Sequence, residues 1–155
     1  MTLSQILKPE LILTKVACAS KDELLSILVE RVYSLGLKTP ISQEDLMQAL
    51  LKREEIGGTL LPSGLIVPHA RLKDHDDENF IIAMGIPLEP LFQDNQKIRM
   101  MALMVSSQLG GPYYLRSLAA LTRISRDEEF FNRLCKAETP EDFLNLLNDK
   151  DTELN

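Results

Sequence analysis

Apolar and polar positions follow two rhythms along this chain, and the rhythms mark out its elements. Leu11-Ile12-Leu13-Thr14-Lys15-Val16 carries β-branched and aliphatic side chains and predicts a strand. At Ser20 the spacing changes. Ser20 and Glu23 have the form of a capping box, and Leu24, Ile27, Leu28, Val32 and Leu35 then recur at helical intervals until Gly36. Ser42 opens a second helix with Leu46, Ala49 and Leu50 on its apolar face, running to about Arg53 or Glu54. A loop follows, Gly57-Gly58-Thr59-Leu60-Leu61-Pro62-Ser63-Gly64, rich in glycine. It leads into a short strand, Leu65-Ile66-Val67, which Pro68 ends because proline has no N–H for the ladder. His69 is thus expected where that strand leaves the sheet, and residues 71–78 read as a polar, mostly acidic loop. Two apolar runs, residues 80–86 and 98–105, predict strands covered on both faces. After Gly110-Gly111-Pro112, Leu115, Leu118, Ala119, Leu121 and Thr122 set a helical pattern. Ser125 with Glu128 predicts a further helix ending near Cys135, and Thr139-Pro140 predicts the last.

The resulting order, β-α-α-β-β-β-α-α-α, predicts an α/β domain over residues 1–150. Its mixed sheet has about four or five strands sandwiched by helices on both faces. Residues 151–155 are expected to be a frayed tail. A chain of 155 residues fits one domain, with 45% apolar and 26% charged residues. Cys18 and Cys135 have no partner at ligand spacing and read as buried free thiols in a reducing cytosol. The apolar runs are far shorter than the roughly 20 residues of a membrane span. Met1-Thr2-Leu3-Ser4-Gln5 has no basic stretch before an apolar run, so the expectation is a cytoplasmic protein without membrane insertion. A net charge of −6 argues against nucleic acid as a partner.

Only two histidines are present. His75, within Lys73-Asp74-His75-Asp76-Asp77, reads as an exposed polar residue. His69 at a strand end occupies a place where α/β scaffolds put functional groups, and position alone leaves a structural and a reactive histidine both open. Metal-ligand sets, a Gly-x-Ser-x-Gly elbow and a Gly-Lys-Ser/Thr phosphate loop are absent, so no metal, nucleotide or other cofactor is expected. A lone imidazole can still act as a nucleophile near pH 7, and phosphoryl transfer suits it because that reaction asks mainly for positioning and charge stabilisation. Arg53 is then the best candidate for holding phosphate oxygens, its alternative being a surface cation near a helix C-terminus. Thr59 and Ser63 offer hydroxyls, and the loop glycines, Gly64 among them, offer backbone N–H groups.

Arg53-Glu54, Gly58-Thr59 and Gly64-Leu65-Ile66-Val67-Pro68-His69-Ala70 together resemble the signature of a known family. It is the enzyme IIA class of the fructose/mannitol type, including nitrogen-regulatory relatives, in the phosphoenolpyruvate-dependent sugar phosphotransferase system. The resemblance implies a phosphotransferase in which His69 takes a phosphoryl group from the phosphohistidine of HPr and passes it to an enzyme IIB component, with Arg53 steadying the group. It also implies that neither metal nor nucleotide takes part. Many members carry a second histidine facing the first. Here Tyr114 stands at that place, or Tyr113 if the loop shifts by one. Tyrosine can donate a hydrogen bond to phosphate but does not become cationic. The alternative function is regulatory, with the phosphorylation state of His69 controlling the binding of a partner protein. HPr proteins present basic residues around their own histidine, so Asp74, Asp76, Asp77 and Glu78 are candidates for steering it.

Overall fold

The computed structural model describes residues 1–109 and 111–150. The expected tail at 151–155 lies outside the described residues. The chain begins with a short helix, α1 (Leu3–Ile6), and a 3-10 turn at Pro9–Leu11 that the sequence pattern did not predict. Strand β1 (Ile12–Val16) and helix α2 (Lys21–Ser34) follow. The Ser20 hydroxyl accepts from the Glu23 N–H at 3.1 Å. The Glu23 carboxylate takes the Ala19 N–H rather than that of Ser20, so the box is displaced by one residue. Gly36 closes the helix at φ +70°, a left-handed conformation that costs glycine little. Helix α3 (Gln43–Ile56) is capped by Ser42 and continues past the expected end at Arg53 or Glu54.

The next segment departs most from expectation. Leu65–Ile66 forms β2, and His69–Leu72 forms a further strand, β3, where a strand exit and a polar loop were expected. Both pair in parallel with β7 (Met100–Ser107), in line with each other: Leu65 lies opposite Met100, and His69 opposite Met104. Pro68 interrupts the edge without ending it. Its missing N–H is harmless there, and its carbonyl accepts from Met104 N at 2.9 Å. Between β3 and β4 (Ile81–Pro87) lies a 3-10 turn, Asp77–Asn79. The expected strand over 98–105 is divided at Arg99, and Gln96–Ile98 forms β6, which makes a hairpin with β5 (Leu91–Gln93).

The main sheet runs β1-β4-β7, with β2 and β3 along the far edge of β7. β1 is parallel to β4, and β4 antiparallel to β7, which makes the five-stranded sheet mixed. Helices α4 (Gly111–Arg126), α5 (Glu128–Cys135) and α6 (Pro140–Asn148) complete the chain. Asp127, not Ser125, caps α5. The Ser125 hydroxyl is taken by the Thr122 carbonyl inside α4, while the Asp127 carboxylate accepts the Phe130 N–H at 3.1 Å.

Side chains alternate across the sheet and build two cores. Ile82, Met84, Ala102 and Met104 face α4, α5 and α6, whereas Ile81, Ala83, Met101, Leu103 and Val105 face α2 and α3. The structure is therefore an α/β sandwich with helices on both faces of the sheet. Cys18 and Cys135 are free but only half-buried, contrary to the buried reading, and burial pushes the Cys135 thiol up to about 11. Among the described residues no helix is long and apolar enough to cross a membrane.

Candidate functional site

Strand β3 decides what His69 meets. Residues i and i+2 of a strand share a face, so His69 and Arg71 point the same way, towards the layer of α4. Arg71 lies opposite Ser106 in the β3–β7 register, which puts Ser106 on that face too. Helix α4 then lays Tyr114 over the histidine. The His69 and Tyr114 rings stack with centroids 3.6 Å apart and 10° between planes. The Arg71 guanidinium sits 5.4 Å from the Tyr114 ring centroid, a cation–π contact. The start of α4 needs Gly111, whose φ is +57° and whose Cβ position lies 2.8 Å from an Asp77 carboxylate oxygen. Any other residue there would be strained by the positive φ and would have to displace the Asp77 carboxylate.

Arg53 arrives from the opposite helical layer. It stands in the last turn of α3, which packs on the edge strand β3, and its Nη1 donates to the Gly57 carbonyl at 2.8 Å. With Ala49, Ala70, Arg71 and Tyr114 it encloses a hollow of about 480 Å³ onto which His69 opens. His69 is only 7% exposed, and its Nε2 lies 2.8 Å from the Ser106 hydroxyl. That hydroxyl also reaches the Ser107 carbonyl at 3.3 Å. Burial lowers the His69 pKa to about 4, helped by the Arg71 and then the Arg53 charge. The imidazole is therefore neutral near pH 7 and keeps one lone pair. The site combines a neutral nucleophile with two cations that have guanidinium forks to hold an anion.

The structure brings His69, Arg53 and Tyr114 together. Thr59 lies beside Val67, whose N–H its carbonyl accepts at 3.3 Å, but does not line the His69 hollow, and Ser63 and Gly64 lie elsewhere. The Thr59 hydroxyl donates to the Glu54 carboxylate. Ser63 and Gly64 line a separate hollow with Arg99, whose N–H donates to the Gly64 carbonyl at 2.8 Å. Gly64 joins the sheet near Met100 while His69 pairs with Met104, a separation of about 13 Å along the strand at roughly 3.3 Å per residue. Tyr113 turns from His69 and stacks on Phe80 instead. The reading of the sequence missed Arg71 and Ser106. The Arg71 signal was present as His69-Ala70-Arg71, an i, i+2 pair that shares a face only if the segment is a strand. Ser106 carried no signal of its own. His75, expected to be exposed, is 6% exposed, with Nε2 2.8 Å from the Asn79 carbonyl.

The family model for the phosphoenolpyruvate-dependent sugar phosphotransferase system, EIIA 2, matches residues 5–150. The chain belongs to this EIIA family. Members of the family are phosphotransfer components of the sugar phosphotransferase system. The chain is 29% identical over 134 residues to the 2-O-alpha-mannosyl-D-glycerate-specific EIIABC component of Escherichia coli, a match spanning 84% of this chain but only 20% of that protein. It is 25% identical over 135 residues to a nitrogen regulatory protein of Bradyrhizobium diazoefficiens, covering 86% of each. Its fold matches a solved complex of enzyme IIA for mannitol with phosphorylated enzyme IIB from Escherichia coli, with a TM-score of 0.71, 20% identity, and coverage of 93% of this chain and 98% of that one.

Proposed function

We propose that this EIIA chain carries a phosphoryl group on His69, taken from the phosphohistidine of HPr and passed to an enzyme IIB component in the cytoplasm. The observation that carries the reading is the neutral His69 ring, stacked on Tyr114 in a hollow that it shares with Arg53 and Arg71. In the first transfer the P–N bond to the HPr imidazole breaks as a P–N bond to His69 forms, and in the second the P–N bond to His69 breaks as the nucleophilic side chain of enzyme IIB bonds to phosphorus. The electron pair returns to the donor nitrogen, and no cofactor takes part. Arg53 and Arg71 neutralise the incoming oxygens, a task that in phosphoryl transfer supplies most of the catalysis. Stacking fixes the plane of the His69 ring, and Ser106 holds one of its nitrogens. If the group enters at Nε2, the freed Ser106 hydroxyl becomes a donor to a phosphoryl oxygen.

Incubation with phosphoenolpyruvate, enzyme I and HPr tests the reading. The wild-type chain takes up an acid-labile label, and a folded His69→Ala variant takes up none. Label on that variant would defeat the proposal.

A nitrogen-regulatory reading has its own support, because that relative matches along 86% of its length. Under it, His69 phosphorylation governs the affinity for a partner protein. A chase separates the two: rapid loss of label to a sugar-specific enzyme IIB favours the relay, and retention of label favours the switch.

A further inference from the structure

A third hollow, of about 250 Å³, opens where the N-terminal segment meets the α2–α3 connection, the Asp77–Asn79 turn and α4. It shares no lining residue with the His69 hollow. It sits at the end of the sheet where the two helical layers part. Ile6, Phe80 and Tyr113 come to it from the α4 side, and Leu37 from the α2–α3 side. These four side chains are only half-buried, so apolar surface is left facing the hollow. Lys8 and Lys38 stand at its rim, exposed, and among the described residues neither side-chain ammonium donates a hydrogen bond or joins an ion pair. Glu78 is the one acidic residue of the lining.

We propose that this hollow binds a small amphipathic carboxylate, with its anionic head between Lys8 and Lys38 and its hydrocarbon body against Phe80 and Tyr113. The volume lies just below the roughly 300–1,000 Å³ of ordinary small-molecule sites, which suits a compact ligand and excludes a nucleotide. Two ammonium groups favour an anion. Glu78 on the same rim penalises a dianion, which leaves a singly charged head. The absence of a guanidinium among the lining residues points the same way, since lysine offers point charges rather than the fork that matches phosphate. The site also has a route to His69. Tyr113 stacks on Phe80 with centroids 6.0 Å apart and is the chain neighbour of Tyr114, whose ring covers His69. Binding itself does not depend on the phosphoryl-carrier reading.

Calorimetric titration of the full chain with 3-phenylpropionate, and with its uncharged amide, tests the proposal. The acid binds saturably at millimolar concentration, and the amide binds at least about tenfold more weakly. A Lys8→Gln/Lys38→Gln variant loses about tenfold in affinity for the acid. Both lysines are exposed, so the variant should melt like the wild type, and a melting curve checks this. Arg53→Gln binds the acid as the wild type does, which separates this hollow from the His69 site. No saturable heat, equal affinity for acid and amide, or binding lost in Arg53→Gln but kept in the lysine variant would each overturn the assignment.

Discussion

His69 and His75 are buried to the same degree, at 7% and 6% exposure, yet they are held by opposite kinds of partner. His75 Nε2 faces the Asn79 carbonyl at 2.8 Å. A carbonyl only accepts, so that nitrogen must keep its proton and one tautomer is fixed. His69 Nε2 faces the Ser106 hydroxyl at the same distance. A hydroxyl both donates and accepts, so the ring can be held in either tautomer. The charges near the two rings differ as well. His69 has Arg53 and Arg71 beside it, whereas His75 lies in a run with Asp74, Asp76, Asp77 and Glu78 that would repel a phosphoryl group. Burial alone does not distinguish the two histidines, and the reading of His69 as the phosphoryl carrier rests on its partners.

The largest test of this contrast exchanges the two histidines as targets. His75→Ala should be labelled by phospho-HPr at close to the wild-type extent, while His69→Ala should not be labelled at all. The cost of His75→Ala lies in stability, about 1–3 kcal/mol if the Asn79 carbonyl is left buried without a donor. Urea unfolding measures it. Loss of labelling in a folded His75→Ala protein would break the contrast.

The next effect concerns the two arginines that share the hollow with His69. A charge-assisted hydrogen bond contributes about 1.5–3 kcal/mol, so Arg53→Ala should slow phosphoryl acceptance by about 10- to 150-fold. Arg71→Ala should slow it less, because that guanidinium lies partly over the Tyr114 ring. Rapid-quench kinetics with phospho-HPr gives both rates. If Arg71→Ala proves the slower variant, β3 rather than α3 supplies the main phosphate ligand.

The helices were legible because their signals are local. Ser20, Ser42 and Thr139 cap them as expected, and the apolar intervals mark the buried faces of α2 and α3 at Leu24, Leu28, Val32, Leu46 and Leu50, whereas Leu35 and Leu115, placed on such faces by the pattern, are exposed. Local signals also explain the errors. Pro68 looked like a strand end, but on an edge its missing N–H has nothing to lose, and β3 resumes beyond it. With β3 read as a loop, His69 and Arg71 had no common face, and Ser106 had nothing to meet. Ser125 and Asp127 both fit a cap for α5, and only the turn geometry chooses between them. His75 is held through its ring nitrogen and the Asn79 carbonyl at the end of the Asp77–Asn79 turn, and that turn lies beside Gly111 of α4, more than thirty residues on. Such pairings leave no trace in a short window. Arg53 was legible as a guanidinium ending the helix before the glycine loop, with a surface cation as the alternative, and the family's motif then paired it with His69.

A smaller effect follows from Ser106. Ser106→Ala removes the tautomer-neutral partner of His69 but neither arginine, so acceptance should slow by about two- to tenfold, the range of a neutral hydrogen bond. Ser106→Thr keeps the hydroxyl and should restore most of the rate if the fold admits the methyl group. Equal rates for wild type and Ser106→Ala would mean that stacking on Tyr114 suffices to hold the ring.

The last effect is thermodynamic and leaves the rate of transfer aside. The ordinary histidine pKa is 6.5 and that of folded His69 is about 4. Between those values the unfolded chain binds a proton that the folded chain refuses, so stability falls as pH is lowered through the window and rises as pH is raised. Above 6.5 both states are neutral at this residue and the slope vanishes. Below about 4 both are protonated and the loss is complete. One proton changes stability by at most about 1.4 kcal/mol per pH unit. Other groups titrate in the same range, so the informative quantity is the difference between wild type and His69→Gln, measured by urea unfolding at several pH values. The wild type should lose ground to the variant between pH 6.5 and 4. Parallel curves would mean that His69 is protonated as readily in the fold as outside it. The two arginines and burial would then not keep its lone pair free, and the distinction drawn from its surroundings would rest on Ser106 and Tyr114 alone.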